Sequence, residues 1–233
     1  MGFPNDGSME SKMEYLKNNP QKAEVGFVGR VVSKLISKKY KVASHYELWL
    51  KHWLNYLDLS GKISVCEIGA GDGWAMSYKD DKIKKTIIDV DDFYKKRHEK
   101  NGIKFIQGAL GSDGLKVKDK FDVVMANHVI EHIQNYQLAA KQLFDMTKKG
   151  GYVFIRVPDI LKFGLTFWTC DFTHVKPYGV ASLSRMMETV GFKTIEARNF
   201  SYSKFTVGYL FSSSIQKYMS KFGNEVLYIG RKE

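Results

Sequence analysis

The stretch SVCEIGAGDGWA, residues 64–75, runs from short apolar residues into three glycines, Gly69, Gly71 and Gly73. An apolar run that ends in closely spaced glycines reads as a buried strand entering a tight turn. Such a turn lets a ligand come close to the backbone. The G-x-G-x-x-G fingerprint of dinucleotide sites would place a third glycine at 74, where Trp74 stands, and no G-K-[ST] follows to make a phosphate loop. Glu67 lies two residues before the first glycine. A carboxylate there repels a pyrophosphate and suits a cationic ligand. Gly71 is expected where the turn has no room for a Cβ.

Outward from this turn, strands alternate with helices. Ile63–Ile68, Thr86–Val90, Ile103–Gln107, Phe121–Ala126 and Tyr152–Val157 read as short buried strands, the last ended by Pro158. Tyr94–Asn101, Tyr136–Thr147 and the segment VASLSRMMETVGF (180–192) read as helices, the last closed by Gly191. This order implies βαβ units and a mostly parallel sheet, with its ligand at the carboxyl ends of the strands near the switch point. Lys193–Arg198 and Glu225–Arg231 are close enough in sequence to form an antiparallel pair at one edge. Residues 22–57 read as helical. Phe27, Val28, Val31, Val32, Leu35 and Ile36 form one stripe, and YELWLKHWLNYL (46–57) forms a second amphipathic helix. The expected organisation is a polar leader (1–21), a helical cap (22–60) and one domain (61–233) with an acceptor loop at about 158–180.

The 233 residues carry 44% hydrophobic side chains, enough for a sizeable core, and no run of ~18 apolar residues. No apolar signal region stands near the start. Cys66 and Cys170 are the only cysteines, and Cys66 falls in a strand, so a reducing cytoplasm is expected. The net charge of +11 favours anionic partners, but the lysines are scattered as on an ordinary solvated surface.

The glycine turn with Glu67 resembles motif I of the class I S-adenosylmethionine-dependent methyltransferases, E-x-G-x-G-x-G. The segments FDVVMANHVIEHI (121–133), MTKKGGYVFIRVPD (146–159) and DFTHVKPYGVASLSRMMETVGF (171–192) resemble later motifs of the same family, in a group common in bacterial glycan and natural-product clusters. The resemblance spans roughly residues 60–200. It implies an α/β, Rossmann-like seven-stranded mixed sheet with helices on both faces and an antiparallel C-terminal strand pair. It implies S-adenosylmethionine as cofactor and S-adenosylhomocysteine as product, with no metal. It places Glu67, Gly69, Ala70, Gly71 and Gly73 around the methionine end, with Asn127 and His128 beside it. Asp89 and Val90 fall at the ribose, with Asp91 in reserve. Ala109 stands near the adenine where the family often has an acid, which leaves that contact to backbone groups or Gln107.

The acceptor side is less determined. Asp171 and His174, in CDFTHVKPY (170–178), are the candidate catalytic pair, with His174 as a general base or a clamp on an acceptor hydroxyl. The alternative has the ring nitrogens of His174 satisfied by Asp171 and the backbone. Phe167, Trp168, Phe172 and Tyr178 are candidates to line the acceptor pocket. HVIEH (128–132) also matches an inverted zinc-protease pattern. No third ligand stands at a plausible distance in sequence, so no metal is assigned. The expected reaction is O-methylation of a small molecule or a sugar or glycan precursor, an anionic one included. N-methylation or nucleic-acid methylation is the alternative, and a basic non-catalytic binding module is a third reading. The tetrapeptide [DN]-P-P-[YF] of amino-methylating nucleic-acid enzymes is absent, and peripheral membrane contact through the cationic first helix is a minor option.

Overall fold

The computed structural model describes residues 45–57, 59, 61–71, 80–201, 215, 218–219 and 221–233. The stripe at 27–36, the glycine turn beyond Gly71 (Gly73 and Trp74 included) and most of the aromatic tail at 202–218 lie outside the described residues.

Seven strands form one sheet. They are β1 (Ile63–Ile68), β2 (Ile83–Asp89), β3 (Lys104–Gln107), β4 (Phe121–Asn127), β5 (Thr147–Pro158), β6 (Phe192–Phe200) and β7 (Glu225–Lys232), in the order β3-β2-β1-β4-β5-β7-β6. β1 runs parallel to both β2 and β4, and β4 runs parallel to β5. β7 is antiparallel to β5 on one side and to β6 on the other. The late pair is therefore a hairpin whose second strand is inserted against β5. The helices are α1 (His45–Tyr56), α2 (Lys95–Lys100), α3 (Tyr136–Met146), α4 (Ile160–Phe163), α5 (Thr166–Cys170) and α6 (Val180–Thr189).

Period-2 alternation sends the strand residues to two separate cores. On β4, Val124 and Ala126 join the face covered by Ala139, Ala140 and Leu143 of α3 and Leu183 and Met187 of α6. Val123 and Met125 join the opposite face, covered by Leu50, Trp53 and Leu54 of α1. Trp53 meets Phe154 of β5 edge-on, with centroids 5.7 Å apart. Burial on both faces is why the central strands read as continuous apolar runs. The amino end of β4 is tied to β1 by Asp122, whose Oδ2 accepts from Ser64 N–H and Ser64 Oγ, both at 2.7 Å. Among the described residues no helix is long and apolar enough to cross a membrane.

Two strands begin three or more residues earlier than the sequence reading placed them. β2 begins at Ile83, three residues before Thr86, because Ile83 and Lys84 pair with Ile63 and Ser64. β5 begins at Thr147, and its register against β4 shifts between Phe121 and Val123. Gly150 and Gly151 lie inside this irregular stretch, and α3 ends at Met146. A Cβ on Gly151 would lie 2.9 Å from the carbonyl oxygen of Asp122, 3.0 Å from that of Lys148 and 3.1 Å from that of Phe121. Three backbone oxygens cannot yield as a side chain would. Gly151→Ala is expected to cost about 1–3 kcal/mol and to lower the melting temperature by roughly 3 °C or more, read by thermal denaturation. An unchanged melting temperature would show that the shift in register is not sterically fixed.

Candidate active site

The strand order reverses direction at β1, so the carboxyl ends of β1, β2 and β4 open around one crevice. Gly69 and Gly71 follow β1, with φ of +64° and +54°, a region that glycine adopts without penalty. Gly69 N–H donates to the carbonyl of Ile88 at 2.8 Å, which holds the start of the turn against β2. A Cβ on Gly69 would sit 2.6 Å from Cγ2 of Val129. Among the described residues nothing lies within 4 Å of a Cβ at Gly71. Among the described residues the crowding is at Gly69. At Gly71 the backbone angle supplies the constraint.

Asp89 ends β2. Its Oδ2 accepts from Gly71 N–H at 3.0 Å and its Oδ1 from Asp91 N–H at 3.2 Å. Burial raises its carboxyl above the ordinary carboxylate range, against the pull of those backbone N–H groups. The carbonyl of Gly71 is met in turn by Nε2 of His98 at 3.0 Å. His98 is buried and stacks on Phe105, so a residue to which the sequence gave no role pins the turn from α2. The only signal for it was one histidine among the lysines and arginine of KKRHEK.

The adenine-side candidates lie at the tips of β2 and β3. Gln107 pairs in register with Asp89, and its Nε2 donates to the carbonyl of Val90 at 3.3 Å. Gly108 N–H donates to the carbonyl of Asp89 at 2.9 Å, and Ala109 follows it, half-buried. Val90 and Ala109 are therefore neighbours across adjacent strand tips. The side chain of Gln107 is committed to the backbone.

Glu67 lies within β1 and is buried, beside Ile87 of β2 and Met125 of β4 in register. Ala70 is half-buried between the two glycines. Asn127 ends β4. Its Oδ1 and Nδ2 are both buried and have no hydrogen-bond partner among the described residues. Buried amides are nearly always satisfied, so two open positions on one side chain mark a place where a ligand belongs. The donors and acceptors present suit an amino-acid end and a ribose. The backbone turn, Glu67, Asp89 and Asn127 thus fit S-adenosylmethionine.

His128 follows with φ +54°, an uncommon backbone for a histidine. Its Nδ1 lies 3.3 Å from Oε1 of Glu131 and its Nε2 lies 3.2 Å from Oε1 of Glu225. Burial alone would lower the imidazole, but hydrogen bonds to those two carboxylates outweigh it and raise it to about 9. Glu225 also meets Nε of Arg156 at 3.1 Å. His128 therefore sits at the expected strand tip with its ring tied into a charged network that crosses to β7.

The acceptor loop divides its aromatic residues. Phe167 and Tyr178 are fully buried, whereas Trp168 and Phe172 are exposed. Asp171 faces its own loop, its Oδ1 accepting from Thr173 N–H at 2.8 Å and from Thr173 Oγ1 at 2.6 Å. His174 is only 9% exposed. Its Nδ1 lies 2.6 Å from the carbonyl of Phe167, and its ring stacks on Phe167 with centroids 4.4 Å apart. Its ring also lies 4.9 Å from that of His132. His174 thus stands beside the HVIEH segment as the third ligand type that sequence spacing did not reveal.

A family profile described as a methyltransferase domain matches residues 42–197. The chain belongs to that methyltransferase family. Its cofactor is S-adenosylmethionine. Among solved structures, an S-adenosylmethionine-dependent methyltransferase from Clostridium acetobutylicum is 10% identical, with a TM-score of 0.61 over 97% of this chain and 99% of that one. Another from Archaeoglobus fulgidus is 19% identical, with a TM-score of 0.59 over 85% and 98%. The [4+2]-cyclase SpnF is 16% identical, with a TM-score of 0.58 over 80% of each chain. Likeness at this identity establishes the fold. No curated protein matches the sequence.

Gly71→Val should abolish binding of S-adenosylhomocysteine, because the φ at Gly71 excludes a β-branched residue. Asp89→Ala should weaken binding by about 1–3 kcal/mol, through loss of hydrogen bonds to a charged acceptor. Isothermal titration calorimetry reads both, and undiminished affinity in both variants would remove the glycine turn from the cofactor site.

Proposed function

We propose that this methyltransferase acts on an oxygen atom of a small molecule or of a sugar or glycan precursor, and that Glu67, Gly69, Ala70, Gly71, Gly73, Asp89, Val90, Ala109, Asn127 and His128 hold its cofactor. The observation that carries the reading is the buried, unsatisfied amide of Asn127 at the tip of the central strand β4. When bound, S-adenosylmethionine supplies a methyl group on a positively charged sulfur. Glu67 offers a buried carboxylate on the side of that charge. Asn127 offers a donor and an acceptor to the amino-acid end. Asp89 offers a carboxylate to the ribose hydroxyls in exchange for its present N–H donors.

The catalytic contribution of the chain in this reading is mainly alignment of donor and acceptor, which lowers the barrier without a strong base. Asp171 and His174 serve by shaping the acceptor loop. Support comes from the commitment of Asp171 to Thr173 and of His174 Nδ1 to the carbonyl of Phe167. Trp168 and Phe172, exposed on the same loop, offer apolar surface to an acceptor. The strand tip reads Asn127-His128-Val129 rather than [DN]-P-P-[YF], which favours oxygen over an exocyclic amine of a nucleobase. A cytoplasmic location fits the cofactor.

The test is methyl transfer from isotopically labelled S-adenosylmethionine to a panel of nucleotide sugars, free sugars, phenols, amines and RNA, read by mass spectrometry. O-methylated sugar or small-molecule product is expected, with Asn127→Ala lowering kcat/KM by roughly tenfold or more, the effect of losing buried hydrogen bonds. Product confined to amines or RNA would replace the oxygen reading.

A further inference from the structure

Glu131 and His132 lie in a short 3-10 turn, Ile130–His132, just beyond β4. His174 comes from the acceptor loop. One potential ligand atom from each of the three residues lies within 4.8 Å of the others. The two segments are already docked, since Val175 N–H and Lys176 N–H donate to the carbonyl of Glu131 at 2.9 Å and 3.0 Å.

The hydrogen-bond partners fix both imidazole tautomers. Thr173 Oγ1 donates its proton to Asp171 at 2.6 Å, so toward His132 Nδ1, 2.8 Å away, it is left to accept. His132 therefore carries its proton on Nδ1. The carbonyl of Phe167 can only accept, so His174 also carries a proton on Nδ1. In the neutral rings each Nε2 is then an open lone pair. Glu131 is 0% exposed. Its Oε1 faces Nδ1 of His128 at 3.3 Å, and its Oε2 has no hydrogen-bond partner among the described residues. A buried carboxylate and two imidazoles whose Nδ1 positions are already engaged thus come together. Such a set of side chains suits a metal cation.

We propose that Glu131, His132 and His174 form a binding site for one divalent transition-metal ion, zinc by its ligand set, with the remaining position left to water. Two imidazoles and one carboxylate are a recurrent zinc set with an open fourth position. The outer partners also suit it: each ring donates its other N–H, one to a backbone carbonyl and one through Thr173 to Asp171, the arrangement that orients metal-bound histidines. Tetrahedral zinc at ~2.1 Å from each ligand sets the ligand atoms roughly 3.3 Å apart. Binding therefore requires side-chain adjustment on the order of an ångström. His128, the first residue of the HVIEH pattern, lies between Glu131 and Glu225, and His174 takes the third place. The metal would clamp the acceptor loop to the turn after β4. It belongs to the loop and not to the cofactor cradle.

The test uses the full chain, purified without a polyhistidine tag, stripped with a chelator and then offered zinc. After desalting, one zinc per chain is expected by elemental analysis. The melting temperature should rise by roughly 5–10 °C at a hundredfold excess of zinc over Kd. His132→Ala and His174→Ala should lose both effects, and His52→Asn should keep them. Cobalt substituted into the wild-type chain should give the strong visible absorption of a four- or five-coordinate site, a readout that stands if the variants fail to fold. Affinity for S-adenosylhomocysteine should change less than threefold on stripping, which separates this outcome from failure of the cofactor reading. A wild-type chain that holds no zinc and gains no thermal stability from it would overturn the site, with the cluster neutralised by a proton instead. Equal zinc binding by both histidine variants would overturn it as well.

Discussion

The position of β1 between β2 and β4 governs the rest of the molecule. β2 and β3 lie on one side of β1 and β4 and β5 on the other, so the strand order reverses there and leaves a crevice above β1. The glycine turn suits that crevice because glycine adopts positive φ without penalty and, at Gly69, leaves room for Val129. Asp89 and His98 then take the N–H and the carbonyl of Gly71, so the turn is held by the neighbouring strand and by α2. A ligand in this crevice meets backbone, one carboxylate from each of β1 and β2, and the amide of Asn127 from β4.

Two-sided burial makes this arrangement stiff. The same strands that present Glu67, Asp89 and Asn127 carry side chains into two cores, one under α1 and one under α3 and α6. Displacing a strand tip would disturb packing on both faces, and close-packed interiors resist such movement. The acceptor side is built differently. Its residues come from a loop held by Asp159, which caps α4 and accepts from Asn199 of β6, and by the bonds of Val175 and Lys176 to the turn after β4. Specificity can change there without altering the cofactor cradle.

The parallel strands, the glycine turn and the acid at the end of β2 were legible because each is a local pattern: an apolar run, a glycine spacing, a residue at a strand end. The insertion of β7 between β5 and β6 was not, since sequence proximity suggests a pair but does not say which strand faces β5. The close approach of Gly69 to Val129 spans 60 positions, which is why no crowding was expected at that glycine. His98 escaped notice because its role rests on one contact to a carbonyl 27 positions away. The link between His128 and Glu225 spans 97 positions. The meeting of His132 with His174 likewise depends on where the loop after α5 lands, and spacing alone does not encode that.

The central claim is that the crevice above β1 is the cofactor site. A crystal structure of the chain with S-adenosylhomocysteine tests it most directly. The account predicts ribose hydroxyls on the carboxylate of Asp89, the amino-acid end against the backbone of Gly69–Gly71, and the amide of Asn127 hydrogen-bonded to the ligand. Density for the ligand away from the tips of β1, β2 and β4, or an Asn127 amide still without a partner in the complex, would contradict it.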